Sequence, residues 1–519
     1  MTAASEAANP LVAGLARPEA YGAGVSAVRM VETHISWVFL TGEHAYKVKK
    51  PVKLPFLDFS TLERRRHFCE LEVEINRRIA PKLYLGVVPI GGEPAAPRVG
   101  QEPAIEYAVK MREFPADARL DRRLAADAVP REALVAFAER LAGFHADLPP
   151  VDALPRDPAE AAVAAALENF DELEPQDEDE RGRLQALRAW TEREGERLAP
   201  TFRARFAAGC YREGHGDLHL ENLVVLDADI AAFDALEFDV ELRRIDVMSE
   251  AGFLMMDLMA HARDDLAYAF LNRYLEVGGD YEGLAVLPFY LIYRALVRAK
   301  VRRIKAAQAG AERPTADAPY IELAARLAAP RRPRLVLMHG LSGSGKTHLS
   351  SELVCALPAV RVRSDIERKR LQGLDETART GSAVGAGLYA ADATERTYGR
   401  LADVTRVALR AGLDCIADAT FLHRADRDHF RRLAADEGAT FAIVDCAANE
   451  RVLRERITAR AATSRDASEA NLAVLDHQLA THDPLGADEL PFTLTVDTEQ
   501  PLDPAGLAAA LRRGANDRA

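Results

Sequence analysis

The chain has 519 residues, a net charge of −13, and 48% hydrophobic and 28% charged residues. That length allows two or three domains with ample core, and the composition is that of an ordinary soluble globular protein. The acidic balance argues against non-specific nucleic-acid binding over the whole surface and leaves room only for a local basic groove.

Five cysteines (Cys69, Cys210, Cys355, Cys415, Cys446) are scattered without a CxxC pair. Reduced thiols in a cytoplasmic protein are the simplest reading. The opening MTAASEAANP has neither a basic nor an apolar signal region. The most apolar stretch, 251–260, is too short to span a bilayer and carries Asp257, so it reads as a buried helix and no membrane partner is expected.

Two β-like runs, 35–40 and 45–49, flank Thr41-Gly42-Glu43-His44, which reads as a hairpin turn. Strand alternation puts Ala45, Lys47 and Lys49 on one face and Tyr46 and Val48 on the other. A helical pattern follows over 62–79, with Phe68, Leu71, Ile75 and Ile79 on its apolar face. Glu72 falls inside that face. A carboxylate there needs a partner, and Lys47 is the natural one; two solvated surface charges are the alternative. Further β-like sequence covers 83–90 and 105–111. Helical, Ala-rich sequence runs to about residue 200, and the acidic stretch 172–181 reads as a solvated loop.

His215-Gly216-Asp217-Leu218-His219-Leu220-Glu221-Asn222 then leads into the strand-like 223–226, and a second short strand, 230–233, ends in Asp234. HxDxxxxN, a strand and an Asp resemble the catalytic loop and metal-binding Asp of protein-kinase-like enzymes. In that chemistry Asp217 accepts the proton of an attacking hydroxyl, while Asn222 and Asp234 hold Mg²⁺. His215 reads as a brace for the loop and His219 as a packed loop histidine.

Residues from about 30 to 305 resemble the aminoglycoside phosphotransferase family. HGDLHLEN matches that family's loop better than the HRDLxxxN of protein kinases. Phe233-Asp234-Ala235-Leu236-Glu237-Phe238-Asp239, with Asp246 and Met256-Asp257-Leu258, resembles a bacterial subgroup fused to a P-loop domain. The resemblance implies that Lys47 contacts ATP phosphates, that Glu72 fixes Lys47, that Asp217 is the base, and that Asn222 and Asp234 are metal ligands. No GxGxxG loop precedes Lys47, a departure shared with aminoglycoside-type kinases. Glu237, Asp239 and Glu241 are the acidic groups available to a polycationic acceptor.

Gly, Pro and Arg enrichment over 306–332 marks a linker around one short helix. The apolar run 335–338 then enters Gly340-Leu341-Ser342-Gly343-Ser344-Gly345-Lys346-Thr347 and a helical pattern. This is GxxxxGK[ST] between strand and helix. The glycines let backbone N–H groups of the loop, including those of Ser342 and Ser344, close around phosphates. The helix N-terminus adds its positive end. Lys346 reaches the β- and γ-phosphates and the Thr347 hydroxyl ligates Mg²⁺.

Strand-like runs at 359–363, 413–417, 441–444 and 492–496 alternate with helices, which predicts a parallel sheet covered on both faces. Ligands sit at the carboxyl ends of such strands. Asp418 lies at one end and is the candidate for the Mg²⁺ shell. Asp365 lies at another as candidate base for an acceptor hydroxyl, with Arg368 nearby. Arg456 and Arg460, one helical turn apart, form either a phosphoryl-clamping lid or a solvated basic face. SerAsp with Arg three residues on, then DATF, resembles small P-loop kinases of the polynucleotide kinase, zeta-toxin and chloramphenicol-phosphotransferase kind, grouped as AAA_33.

The expected architecture is a protein-kinase-like α+β domain (1–305), a linker (306–332) and an α/β P-loop domain (333–519). The expected function is a bifunctional ATP- and Mg²⁺-dependent phosphotransferase acting on small-molecule hydroxyls. The alternative is that one domain senses nucleotide and only the other is a kinase. The acidic chain disfavours a nucleic-acid acceptor for the C-terminal domain without excluding one.

Overall fold

The computed structural model describes residues 9–54, 57–308, 317–378, 380, 390–463 and 470–513, without the side chains of 460–463. The chain forms two compact units, one of Met1–Pro158 with Ala204–Asp257 and the other of Ala159–Arg203 with Leu258–Ala519. The three divisions fall at the start of the helix Pro158–Glu172 and inside the helices Glu178–Ala207 and Val247–Ala260.

The first unit is built on a six-stranded antiparallel sheet. Its strands lie in the order Arg29–Glu32, Ser36–Leu40, His44–Lys49, Ala104–Arg112, Tyr84–Glu93 and Ala96–Val99. The expected hairpin is present, with Val38 opposite Lys47 and Trp37 opposite Val48. Its alternation sorts two cores. Tyr46 and Val48 join Trp37, Phe39, Ile90 and Ala108 on one face. Ala45 joins Cys69, Val73, Tyr84 and Val109 on the other, where the helix Leu62–Arg77 packs. Lys47 and Lys49 therefore point towards that helix.

The helix starts at Thr61, whose hydroxyl accepts from the Arg64 N–H at 3.3 Å. Its buried face holds Cys69, Glu72, Val73, Ile75 and Asn76, while Phe68 and Leu71 are half-buried. Glu72 lies inside the buried face as expected; the face is rotated from the expected stripe towards Val73 and Asn76, and Asn76 takes a core position because it has a partner. The hairpin of Leu223–Leu226 and Asp229–Ala232 turns through Asp227 and Ala228, both at positive φ, as a tight two-residue hairpin requires.

The second unit contains the expected parallel sheet, in the order Ala359–Arg363, Asp414–Asp418, Arg334–His339, Thr440–Ala447 and Thr493–Asp497. Val336, Met338, Ile416 and Val444 bury one face beneath Leu349, Leu353 and Val354 of the helix Lys346–Ala356. The edge strand Ala359–Arg363 is covered by the helix Asp264–Gly278. Asn272 of that helix donates to the Ala359 carbonyl at 2.9 Å and accepts from the Arg361 N–H at 2.6 Å, closing an open sheet edge.

Two local expectations change. Glu178–Arg181 belong to a helix, and Glu180 is buried against Arg303 at 2.6 Å, because an acidic residue with a cationic partner need not stay in water. Within the expected linker the helix Leu287–Gln308 continues past 305, and Ala318–Ala328 packs as a core helix with Tyr320, Ile321 and Leu323 buried. The part at 309–316 lies outside the described residues. No helix among the described residues is long and apolar enough to cross a membrane.

Candidate active sites

In the first unit the strand His44–Lys49 and the helix Leu62–Arg77 bring Lys47 and Glu72 together. Lys47 Nζ donates to Glu72 Oε1 at 2.9 Å and to Asp234 Oδ1 at 2.5 Å. Glu72 is fully buried, and its second oxygen accepts from Lys49 Nζ at 2.7 Å. Burial opposes its ionisation, but the two ammonium groups outweigh that and hold its pKa at about 2. Burial likewise opposes the charge on Lys47, and Asp234 and Glu72 outweigh it, keeping the ammonium protonated.

Asp234 sits at φ 63°, a left-handed turn that breaks the chain away from its strand. Two side chains hold that turn. Tyr84 Oη accepts from the Asp234 N–H at 3.0 Å, and Asn76 Oδ1 accepts from the Ala235 N–H at 3.1 Å. Asn76 lies one helical turn beyond Glu72, so one helix face sets both the lysine and the aspartate.

The loop His215–Asn222 is folded around Asp217. Asn222 Nδ2 donates to the Asp217 carbonyl at 3.0 Å and to Asp217 Oδ2 at 2.9 Å. His219 Nδ1 accepts from the Glu221 N–H at 3.2 Å, which leaves Nε2–H facing Asp217 Oδ2, also at 3.2 Å. His215 accepts from the Asp217 N–H through Nδ1 and donates through Nε2 to the Phe233 carbonyl at 2.9 Å. Burial lowers its pKa, so it is a neutral brace between the two loops. Gly216 has φ 84°, and a Cβ there would lie 2.8 Å from the Leu242 carbonyl oxygen. Glu250 Oε1 gathers the N–H groups of His215 and Gly216 at 2.6 and 2.7 Å, while Oε2 meets His145 Nε2 at 2.7 Å. Asp257 Oδ2 holds the Leu220 N–H at 2.9 Å.

In the second unit the P-loop follows the central strand. Gly340, Gly343 and Gly345 all have positive φ, and a Cβ on Gly343 would lie 2.8 Å from the Leu453 carbonyl oxygen. Lys346 Nζ donates to the carbonyls of Gly340 and Leu341, both at 2.8 Å, and approaches Ser344 Oγ at 3.4 Å. One cleft of about 1020 Å³ collects Ser342, Gly343, Gly345, Lys346, Thr347, Asp365, Arg368, Asp418 and Arg456. Seven residues from four separate stretches of the sequence beyond the loop thus share a wall with it: Asp365 and Arg368, Asp418 and Thr420, Tyr398, and His477 with Gln478. Asp418 Oδ2 accepts from Ser350 Oγ at 2.8 Å.

A family described as an AAA domain (AAA_33) matches residues 335–485. The uncharacterized protein Rv2004c of Mycobacterium tuberculosis is 31% identical over 459 residues, spanning 87% of this chain and 90% of its own. Mb2027c of Mycobacterium bovis matches with the same identity and coverage. The chain belongs to the Rv2004c family. Among solved structures, a choline/ethanolamine kinase family protein from Mesorhizobium loti is similar at 14% identity, over 62% of this chain and 93% of that one, with a TM-score of 0.36. A gluconokinase from Sinorhizobium meliloti is similar at 25% identity, over 36% of this chain and 97% of that one, with a TM-score of 0.26.

This member of the Rv2004c family joins a unit built on a six-stranded antiparallel sheet to a P-loop unit matched by the AAA_33 domain. The oxygen atoms available in both units are of the kind a hard divalent cation takes. Asn222 directs both bonds of its Nδ2 to Asp217, which leaves its Oδ1 as the acceptor, and Asp234 is half-exposed. Asp418 and the Thr347 hydroxyl would provide the corresponding oxygens on the P-loop side. The glycine cradle, which a Cβ would fill, fits a phosphate chain.

Arg456 lines the cleft, but its guanidinium also donates to Thr498 Oγ1 at 2.9 Å and to the Thr498 carbonyl at 2.7 Å, bracing the loop. The side chain of Arg460 lies outside the described residues. Sequence reasoning missed Lys49, Asn76, Tyr84, His145 and Glu250 as parts of the first site, and Ser350 and Gln478 as parts of the second. Gln478 Oε1 accepts from the Ser342 N–H at 2.9 Å. Only Lys49 carried a signal, through its alternation with Lys47.

Proposed function

We propose that the protein is a phosphotransferase with two centres, each moving the γ-phosphoryl group of ATP to a hydroxyl of a small molecule. The observation that carries this reading is the cleft in which Lys346, Thr347, Asp365, Arg368 and Asp418 converge. In this reading the loop is the phosphate cradle, Thr347 and Asp418 supply metal-type oxygens and Asp365 is the carboxylate base, and all of them line one space. The ion chain Asp234–Lys47–Glu72 and the braced Asp217 support a second centre in the first unit.

In the first unit Lys47 holds phosphate oxygens and Glu72 fixes its direction. Asp217, oriented by Asn222 and His219, takes the proton of the acceptor hydroxyl as the new O–P bond forms. In the second unit the loop N–H groups and Lys346 hold the phosphate chain, and Asp365 takes the acceptor proton. Bound Mg²⁺ supplies charge neutralisation at the phosphates in both. The remaining rate advantage comes from positioning and from preorganised charge.

The test follows labelled γ-phosphate from ATP into a small-molecule extract, comparing the parent with Asp217→Asn and Lys346→Ala. Two centres require that each substitution remove a different labelled product. If Asp217→Asn leaves every product intact while Lys346→Ala removes them all, the first unit has no transferase role and this reading fails.

A further inference from the structure

The P-loop centre is tied to a helix that precedes it by some seventy residues in the chain. Arg361, on the edge strand Ala359–Arg363, shares a strand face with Ala359 and so points at the helix that follows the P-loop. Its guanidinium is buried. Nη2 donates to Glu276 Oε1 at 2.7 Å. Nη1 donates to Ser350 Oγ at 3.1 Å, to Ser351 Oγ at 2.5 Å, and weakly to the Thr347 carbonyl at 3.4 Å.

Ser350 is fully buried. Its hydroxyl has one proton and two acceptors near it, Asp418 Oδ2 at 2.8 Å and the Thr347 carbonyl at 3.1 Å. With Arg361 donating into the Ser350 oxygen, the hydroxyl proton is directed away from the guanidinium and towards Asp418, the shorter of the two contacts. Glu276 lies on the helix Asp264–Gly278, is itself buried, and also faces Arg363 at 3.9 Å. Asn272, one turn earlier, pins the backbone of Arg361.

We propose that Glu276 and Arg361 are positioning residues for the P-loop centre, acting through Ser350 to set the orientation of the Asp418 carboxylate towards its divalent cation. This rests on the phosphotransferase reading of that unit. Glu276 fixes the guanidinium fork, the fork polarises Ser350, and Ser350 holds one oxygen of Asp418 so that the other is presented to the metal. Such outer partners commonly change metal affinity by about 10–100-fold when removed. The P-loop centre is therefore not contained in residues 333–519, because a residue on the far side of 305 completes it.

The test uses the full chain carrying Lys47→Ala and Asp234→Ala, which removes the phosphate-holding lysine and one metal-type carboxylate of the first unit. Mn²⁺ binding in the presence of ATP is followed by electron paramagnetic resonance, and metal-free ATP binding by calorimetry. Glu276→Gln, Arg361→Lys and Ser350→Ala are each expected to weaken Mn²⁺ binding about tenfold and to leave metal-free ATP affinity within twofold. Glu276→Gln added to Ser350→Ala is expected to cost no more than Ser350→Ala alone, since the two act in one chain. Ser350→Ala removes a single buried hydroxyl and carries the test if Glu276→Gln does not fold. Mn²⁺ affinity unchanged in Ser350→Ala, or metal-free ATP affinity falling in parallel with it, overturns the proposal. Lys346→Ala in the same background separates the two readings. If ATP binding survives it, the phosphotransferase assignment of the P-loop falls; if binding is lost while Ser350→Ala is silent, only the positioning role falls.

Discussion

Lys49, sealed from solvent, forms a 2.5 Å ion pair with Glu237 and so ties the hairpin strand to the loop that follows the metal-type aspartate. Glu237 is three residues beyond Asp234 and is also buried. With Lys47 and Glu72 the pair makes an alternating chain, Asp234–Lys47–Glu72–Lys49–Glu237, in which each interior charge has two opposite neighbours.

Breaking that chain at one end leaves a buried charge without its partner. Lys49→Met is expected to cost roughly 3–5 kcal/mol, measured by urea unfolding, whereas replacing both partners, Lys49→Met with Glu237→Leu, recovers a large part of that loss. If the double substitution is as destabilising as the sum of the single ones, the pair is not coupled as the geometry indicates.

The acid limb of stability should depend on Glu250. Burial opposes its charge, yet the bonds from His145 and the loop N–H groups hold its pKa at about 2, against an ordinary 4.5. A carboxylate depressed in this way stabilises the fold fully above about pH 4.5, and that contribution is lost as pH falls towards 2. Glu250→Gln is therefore expected to lower stability at neutral pH and to flatten its fall between those two values. Denaturation midpoints across that range check this, and an unchanged slope would show that other carboxylates carry the acid limb.

The candidate site positions were legible where residue type and spacing are local. GxxxxGK[ST], HGDLHLEN and the strand-end aspartates each sit in one short stretch, and alternation alone put Lys47 and Lys49 on one face. The supporting residues were not legible, because their roles exist only across long separations. Asn76 serves the Ala235 N–H and His145 serves Glu250 only once the chain has folded. The phase of the helix Leu62–Arg77 was misjudged for the same reason. The expected stripe already takes in Glu72 with Lys47 as its partner, but it counts Asn76 against burial, while the structure buries Asn76 because it has a partner.

Two glycines of similar appearance should respond in opposite ways to alanine. Gly182 lies within the helix Glu178–Ala207, and a Cβ there would have nothing within 4 Å. Gly182→Ala removes the entropic cost of glycine in a helix and is expected to raise stability by about 0.5–1 kcal/mol. Gly343 has φ 83°, and its Cβ would stand 2.8 Å from the Leu453 carbonyl oxygen and 3.3 Å from Leu453 Cα, both backbone atoms. A left-handed alanine costs roughly 1–2 kcal/mol before any clash is counted. The loop must then shift, and it cannot do so without moving the N–H groups that close on phosphates. Gly343→Ala is expected to lower ATP affinity at the P-loop at least tenfold while products that depend on Asp217 continue to form. Calorimetric ATP titration of the Lys47→Ala, Asp234→Ala chain with and without Gly343→Ala reads the first effect, and labelled-phosphate transfer by the Gly343→Ala chain reads the second. Equal ATP affinity in the two titrated chains would mean that the loop has slack its backbone contacts do not show.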